Sequence, residues 1–253
     1  MNVKYLLTVL LAFVITFNFA LSEEATQEKS DSSSLSVSLA QDPSFGFYPS
    51  VNGSIPIGET TSLTFYGIFW TQDALAGNLG GIGLLTEFGV GLNFSMLDGK
   101  LNINPSLGLG NGKFQSGGGR HIIGDDIVPS VYVTYSTDAL ETTIGGIYWK
   151  GLRREEMVTP YLDQIEYFLQ SWYKASNHIS VGLYVDHFLI TEDNKIETKT
   201  NTSYFWVGPA IKFTVSSGAS FWFTVGPDFV DYLNNADNKA IKDYYKMVVT
   251  FNF

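Results

Sequence analysis

Connections in this chain come in two lengths, and from the second connection onward the two kinds alternate. Tight ones span residues 55–60, 97–99, 137–139, 175–177 and 216–218, and long ones span 72–82, 111–126, 151–163, 191–202 and 231–243. The segments between them place apolar side chains at every second position: 34–41, 45–54, 61–71, 83–96, 100–110, 127–136, 140–150, 164–174, 178–190, 203–215, 219–230 and 244–253. Period-two alternation marks a strand with one apolar face, and Asp98-Gly99 is a hairpin signal in its own right. About twelve strands with short turns at one end and long loops at the other describe an all-β protein, a transmembrane antiparallel up-and-down β-barrel. A soluble sandwich shares the alternation but has no reason to sort its loops.

Strand parity assigns the two faces. In 83–96, Phe88, Val90, Leu92, Phe94 and Met96 share one side, against Glu87, Gly89, Gly91, Asn93 and Ser95. Apolar side chains toward lipid and small polar ones toward a lumen is the natural assignment. Charged residues make up only 16% of the chain and aromatic residues 15%, whereas an average soluble domain is about 25% charged. The net charge of −10 excludes a nucleic-acid surface and favours cations. Without a cysteine, the chain can have no disulfide framework, thiolate metal site or lipid anchor on Cys.

The two ends indicate a destination. Lys4, an apolar run over 5–20 and small residues at Ala20 and Ser22 form a secretory signal peptide, cleaved near Ser22. Residues 23–33 are a flexible polar lead-in, and 34–253 form the barrel. At the other end, Tyr245, Met247, Val249, Phe251 and Phe253 line one face of the closing strand. Its expected partners are 219–230 and the first strand, 34–41, which would close the barrel with Phe253 at the periplasmic rim.

Several stretches together, TFYGIFW, TEFGVGLNF, LDGKLNINP, IVPSVYVTY, GASFWFTVGPDF and the terminal VVTFNF, resemble a family of small Gram-negative outer-membrane β-barrels of unassigned function. The resemblance covers nearly all of the mature chain and implies a fold and an outer-membrane location rather than an activity. The terminal apolar alternation ending in Phe253 likewise resembles the signal read by the outer-membrane assembly machinery, so the implied partners are that machinery and outer-membrane lipid.

Parity turns Glu87, Glu141, Glu166, Asp186, Lys212, Asp228 and Lys246 toward the lumen, with Tyr184, Trp206 and Trp222 among the lumen aromatics. Tyr48, Tyr66, Tyr132, Phe168 and Trp172 share that face; Trp70 and Trp149, near strand ends, are candidates for it or for the interfacial girdles. Asp228 and Lys246, on consecutive strands near the long-loop end, are placed to pair. These features suit a small porin-like channel or solute-binding barrel with modest cation preference, for which a small solute or a cation is the expected passenger. The alternative is a structural or surface-interaction barrel with a plugged lumen. An outer-membrane lipid hydrolase is a remote third reading, resting on His187 with Ser203 on the next strand. Asp125-Asp126 and Glu192-Asp193 read as solvated loop charge, and no metal site or cofactor is expected. Pro49, Pro105, Pro129, Pro209 and Pro227 fall inside predicted strands, where a bulge or bend could accommodate them.

Overall fold

The computed structural model describes residues 33–70, 85–112, 122–152, 161–194, 197–216, 218–234 and 241–253. The expected signal peptide and most of the lead-in lie outside these residues. Twelve strands form one closed antiparallel barrel: β1 (Ser34–Asp42), β2 (Gly46–Pro56), β3 (Thr61–Trp70), β4 (Leu85–Met96), β5 (Leu101–Gly112), β6 (Ile122–Ser136), β7 (Leu140–Gly151), β8 (Tyr161–Lys174), β9 (Ile179–Asn194), β10 (Glu197–Ser216), β11 (Ala219–Asp228) and β12 (Lys242–Asn252). A one-turn helix, α1 (Val230–Leu233), follows β11. β1 closes the barrel against β12, from Ser36 opposite Asn252 to Gln41 opposite Met247.

Parity is kept around the barrel. Phe88, Val90, Leu107, Leu109, Ile144, Val181, Leu183, Val225 and Phe251 are exposed on the outer wall, an apolar belt that water would not tolerate and lipid requires. At the β4–β5 turn Leu97, Asp98 and Gly99 all take positive φ, the twist that a tight hairpin needs.

Two sequence expectations are corrected. Residues 191–194 and 197–202 are strand and not loop: β9 runs on to Asn194 and β10 starts at Glu197, paired throughout except for a one-residue bulge at Ser203. Clear of the bilayer, neither face has to be apolar, so the alternation that betrays a strand is lost there. β6 likewise begins at Ile122, inside the expected 111–126 loop. The bulge is braced by Asn234, just after α1. Its side-chain oxygen accepts from the Thr202 N–H (2.9 Å) and its amide donates to the Thr202 carbonyl (2.7 Å), standing in for a strand partner.

The in-strand prolines cause no register shift. Between Trp206–Asp228 and Ala210–Thr224 the β10–β11 register is unchanged, but pairing lapses across Pro209 and Pro227. It lapses in the same way beside Pro105 and Pro129. Each proline forfeits a donor, and one freed carbonyl is recovered: Thr224 Oγ1 donates to the Pro209 oxygen at 2.8 Å.

Candidate functional site: a closed outer mouth

The first hairpin departs from the expected loop sorting, since its tight turn lies at the end where most other connections are long. Asp42 makes the turn. Its Oδ1 accepts from the N–H groups of Ser44 (3.0 Å) and Phe45 (2.7 Å), and Oδ2 accepts from Tyr48 Oη (2.9 Å). Phe45 is thereby folded inward, where it packs against Trp70 of β3, Phe188 of β9 and Tyr204 of β10. A turn that reaches β9 and β10 crosses the mouth of the barrel.

Beneath Phe45 four rings stack in sequence. Phe188 lies 5.4 Å from Tyr204, Tyr204 3.9 Å from Trp206 and Trp206 4.9 Å from Tyr244, with interplanar angles of 14°, 15° and 4°. Gly208 makes room, because a Cβ there would stand 2.7 Å from the Tyr244 hydroxyl. Alongside the stack is a charged cluster. The Lys246 ammonium donates to Tyr184 Oη (2.9 Å) and lies 3.8 Å from Asp42 Oδ2 and 3.7 Å from Asp186 Oδ2. Tyr184 in turn donates to Asp186, and the Glu166 carboxyl adjoins Asp186. Asp42, Asp186 and Thr224 have no solvent exposure, and Tyr184, Tyr204, Trp206 and Tyr244 have 1% each. Inside the barrel these side chains are thus shielded from solvent at this level.

Toward the tight-turn end the interior is polar and wetter. Lys212 of β10 reaches Glu141 of β7 at 3.0 Å, with its ammonium 5.0 Å from the centre of the Trp172 ring. Both charged side chains keep partial exposure, 22% and 34%. Asn104 donates to Thr64 at 2.8 Å, and Ser106 meets Ser130 at 2.6 Å. Trp222 is buried against Trp172 and Tyr184.

Glu87 sits apart from the Lys246 cluster, accepting from Tyr66 Oη and Trp149 Nε1, each at 2.8 Å. Trp149 and Trp70 therefore belong to the interior and not to a girdle. The Asp228–Lys246 pair does not form. Lys246 is opposite Thr224, whereas Asp228 is opposite Lys242, and Asp228 Oδ1 instead accepts from the backbone N–H groups of Phe205 and Val230, both at 3.0 Å. His187 faces outward to Tyr167 and Thr202, and Ser203 is the exposed bulge residue, so the two do not meet. Asp125 and Asp126 are not solvated loop charge: both are fully buried in β6. Sequence reasoning also missed Asp42 and Phe45, which lie at a turn, and Tyr204, Tyr244, Phe188 and Gln164, which strand parity could have supplied.

A closed twelve-strand barrel with a lipid-type apolar wall and a polar, charged interior defines a porin-like outer-membrane β-barrel. The chain belongs to the family of unknown function DUF6733, which it matches over residues 2–253. No curated protein sequence matches it. Among solved structures it is similar to the COG4313 outer membrane channel from Pseudomonas putida F1, at 8% identity and a TM-score of 0.56, over 91% of this chain and 100% of that one. It also aligns with the NanC porin at 13% identity and a TM-score of 0.48, over 86% of this chain and 98% of that one. The KdgM porin, solved in complex with disordered oligogalacturonate, aligns at 10% identity and a TM-score of 0.45, over 87% and 99%. The likeness to the Pseudomonas putida channel is one of fold.

Proposed function

We propose that this protein is a small porin-like passage of the outer membrane that its own first hairpin holds closed at the outer mouth. The observation that carries this reading is the zero exposure of Asp42 and Asp186 beneath an inward-folded Phe45. Once open, the passage prefers cations modestly, because Glu87, Glu166, Asp186, Asp42 and Glu141 outnumber Lys246 and Lys212 along the inner wall. The described fold likeness to an outer membrane channel supports a passage over a purely structural barrel. A permanently plugged surface-interaction barrel is the second reading, favoured by the continuity of the four-ring stack. A hydrolase has no support from His187, whose partners are Tyr167 and Thr202. The outward row Tyr245, Met247, Val249, Phe251 and Phe253 is the surface we assign to outer-membrane lipid and, before insertion, to the assembly machinery; secretion requires cleavage near Ser22.

Planar-bilayer recording tests this. The native protein should show no sustained open steps, and Phe45→Ala combined with Trp206→Ala should show discrete cation-preferring ones. Steady large conductance of the native protein would refute closure. Silence of a correctly folded double variant at all voltages would refute the passage and leave the plugged barrel.

A further inference from the structure

Glu87, Gly110, Asp126 and Gly151 occupy one cross-strand row over β4, β5, β6 and β7. The row lies close to the outer ends of β5 and β7, which finish at Gly112 and Gly151. With glycine between them, no side chain of the row separates the two carboxylates. A Cβ built on Gly110 would stand 2.1 Å from Asp126 Oδ1 and 2.6 Å from Oδ2, so the Asp126 carboxylate lies flat across Gly110 toward Glu87.

Asp126 has no solvent exposure, and its oxygens meet no donor other than the backbone N–H of Gly110. The charges that act on it are those of Glu87 and Asp125, both acidic. Glu87 is 2% exposed, and the donors to its two oxygens, Tyr66 and Trp149, are neutral. The Lys246 cluster, by contrast, holds its carboxylates around an ammonium. Two buried carboxylates without a cation among the described residues are costly, and the Asp126 carboxylate, with no side-chain donor on it, keeps lone pairs to ligate.

We propose that Asp126 and Glu87 bind a divalent hard cation, Ca²⁺, at the outer rim of the barrel. Two carboxylates neutralise its charge, and oxygen-only ligation with water completing the shell is what calcium takes. Tyr66 and Trp149 act one step out, each holding a Glu87 oxygen. The site is separate from the closure of the mouth, and its test does not depend on conductance.

Tb³⁺, a luminescent substitute for Ca²⁺, is the probe, with the protein refolded in detergent. The Trp149 indole, bonded to Glu87, should sensitise Tb³⁺ emission, and added Ca²⁺ should displace the ion and quench it. Asp126→Asn, which keeps shape and removes charge, should abolish the signal. Tyr66→Phe should weaken binding about tenfold to a hundredfold, as loss of a group orienting a ligand does. Retained heat-modifiable migration on a gel verifies each fold, and Glu87→Gln serves if Asp126→Asn does not fold. Emission equal in native and Asp126→Asn protein, emission unaltered by Glu87→Gln, or Tb³⁺ that Ca²⁺ fails to displace would overturn the assignment.

Discussion

Replacing Lys246 with Met keeps the length of the side chain and removes the one ammonium that the described residues place between Asp42 and Asp186. At separations of 3.8 and 3.7 Å and an effective dielectric of about 20, each attraction is worth roughly 4 kcal/mol before solvation is counted. Desolvation of the ammonium offsets much of that sum, but desolvation of the carboxylates is not recovered when Lys246 goes. The net cost should therefore fall in the range of about 3–5 kcal/mol seen when a buried pair loses one partner. Asp42 retains three hydrogen bonds after the change, whereas Asp186 retains one from Tyr184 and has Oδ1 unpartnered already. The penalty should thus concentrate on Asp186. Adding Asp186→Asn to Lys246→Met should restore at least about 1 kcal/mol. Reversible urea unfolding of the refolded barrel in lipid, followed by tryptophan fluorescence, measures both. A loss below about 1 kcal/mol for Lys246→Met, the worth of an exposed pair, or no recovery in the double variant, would refute the buried-cluster account.

Two further outcomes use the same unfolding assay. Gly208→Ala should destabilise by about 1–3 kcal/mol and loosen the ring stack, since its Cβ would meet the Val225 carbonyl oxygen at 2.3 Å and the Tyr244 hydroxyl at 2.7 Å; a neutral effect would show that the stack does not constrain this approach. Asn234→Ala should cost about 1–2 kcal/mol, because the Thr202 N–H and carbonyl both lose their bonds to it. Amide exchange at Thr202 should accelerate with it, and unchanged exchange would mean that Asn234 does not brace the bulge.

Much of the architecture was legible because strand parity and turn chemistry are local. Period two in 83–96 and 100–110 needs only neighbouring residues, and Asp98-Gly99 needs only its own φ preferences. Strand limits failed where the lipid constraint ends: residues 191–194 and 197–202 pair as strands, and β6 starts at Ile122, with no regular apolar face to announce either. That failure made Asp126 look like loop charge. Of the candidate interior residues, Lys212 had no evident partner in the sequence, and its partner, Glu141, lies three strands away. Lys246 was matched to the nearest acid on the adjoining strand, but register sets Asp228 four residues too far along.

By itself the sequence determined the number of strands, which face each one turns to lipid, and which end carries the long connections, because each of these follows from spacing along a few residues. Only the tertiary structure decided what the inward faces do to one another. Closure brings β1, β9 and β12 to one level, so Asp42, Asp186 and Lys246 meet across a lumen that no sequence interval encodes. The inward fold of Phe45 was likewise beyond local reasoning, since a tight turn reads the same whether it points to solvent or into the barrel.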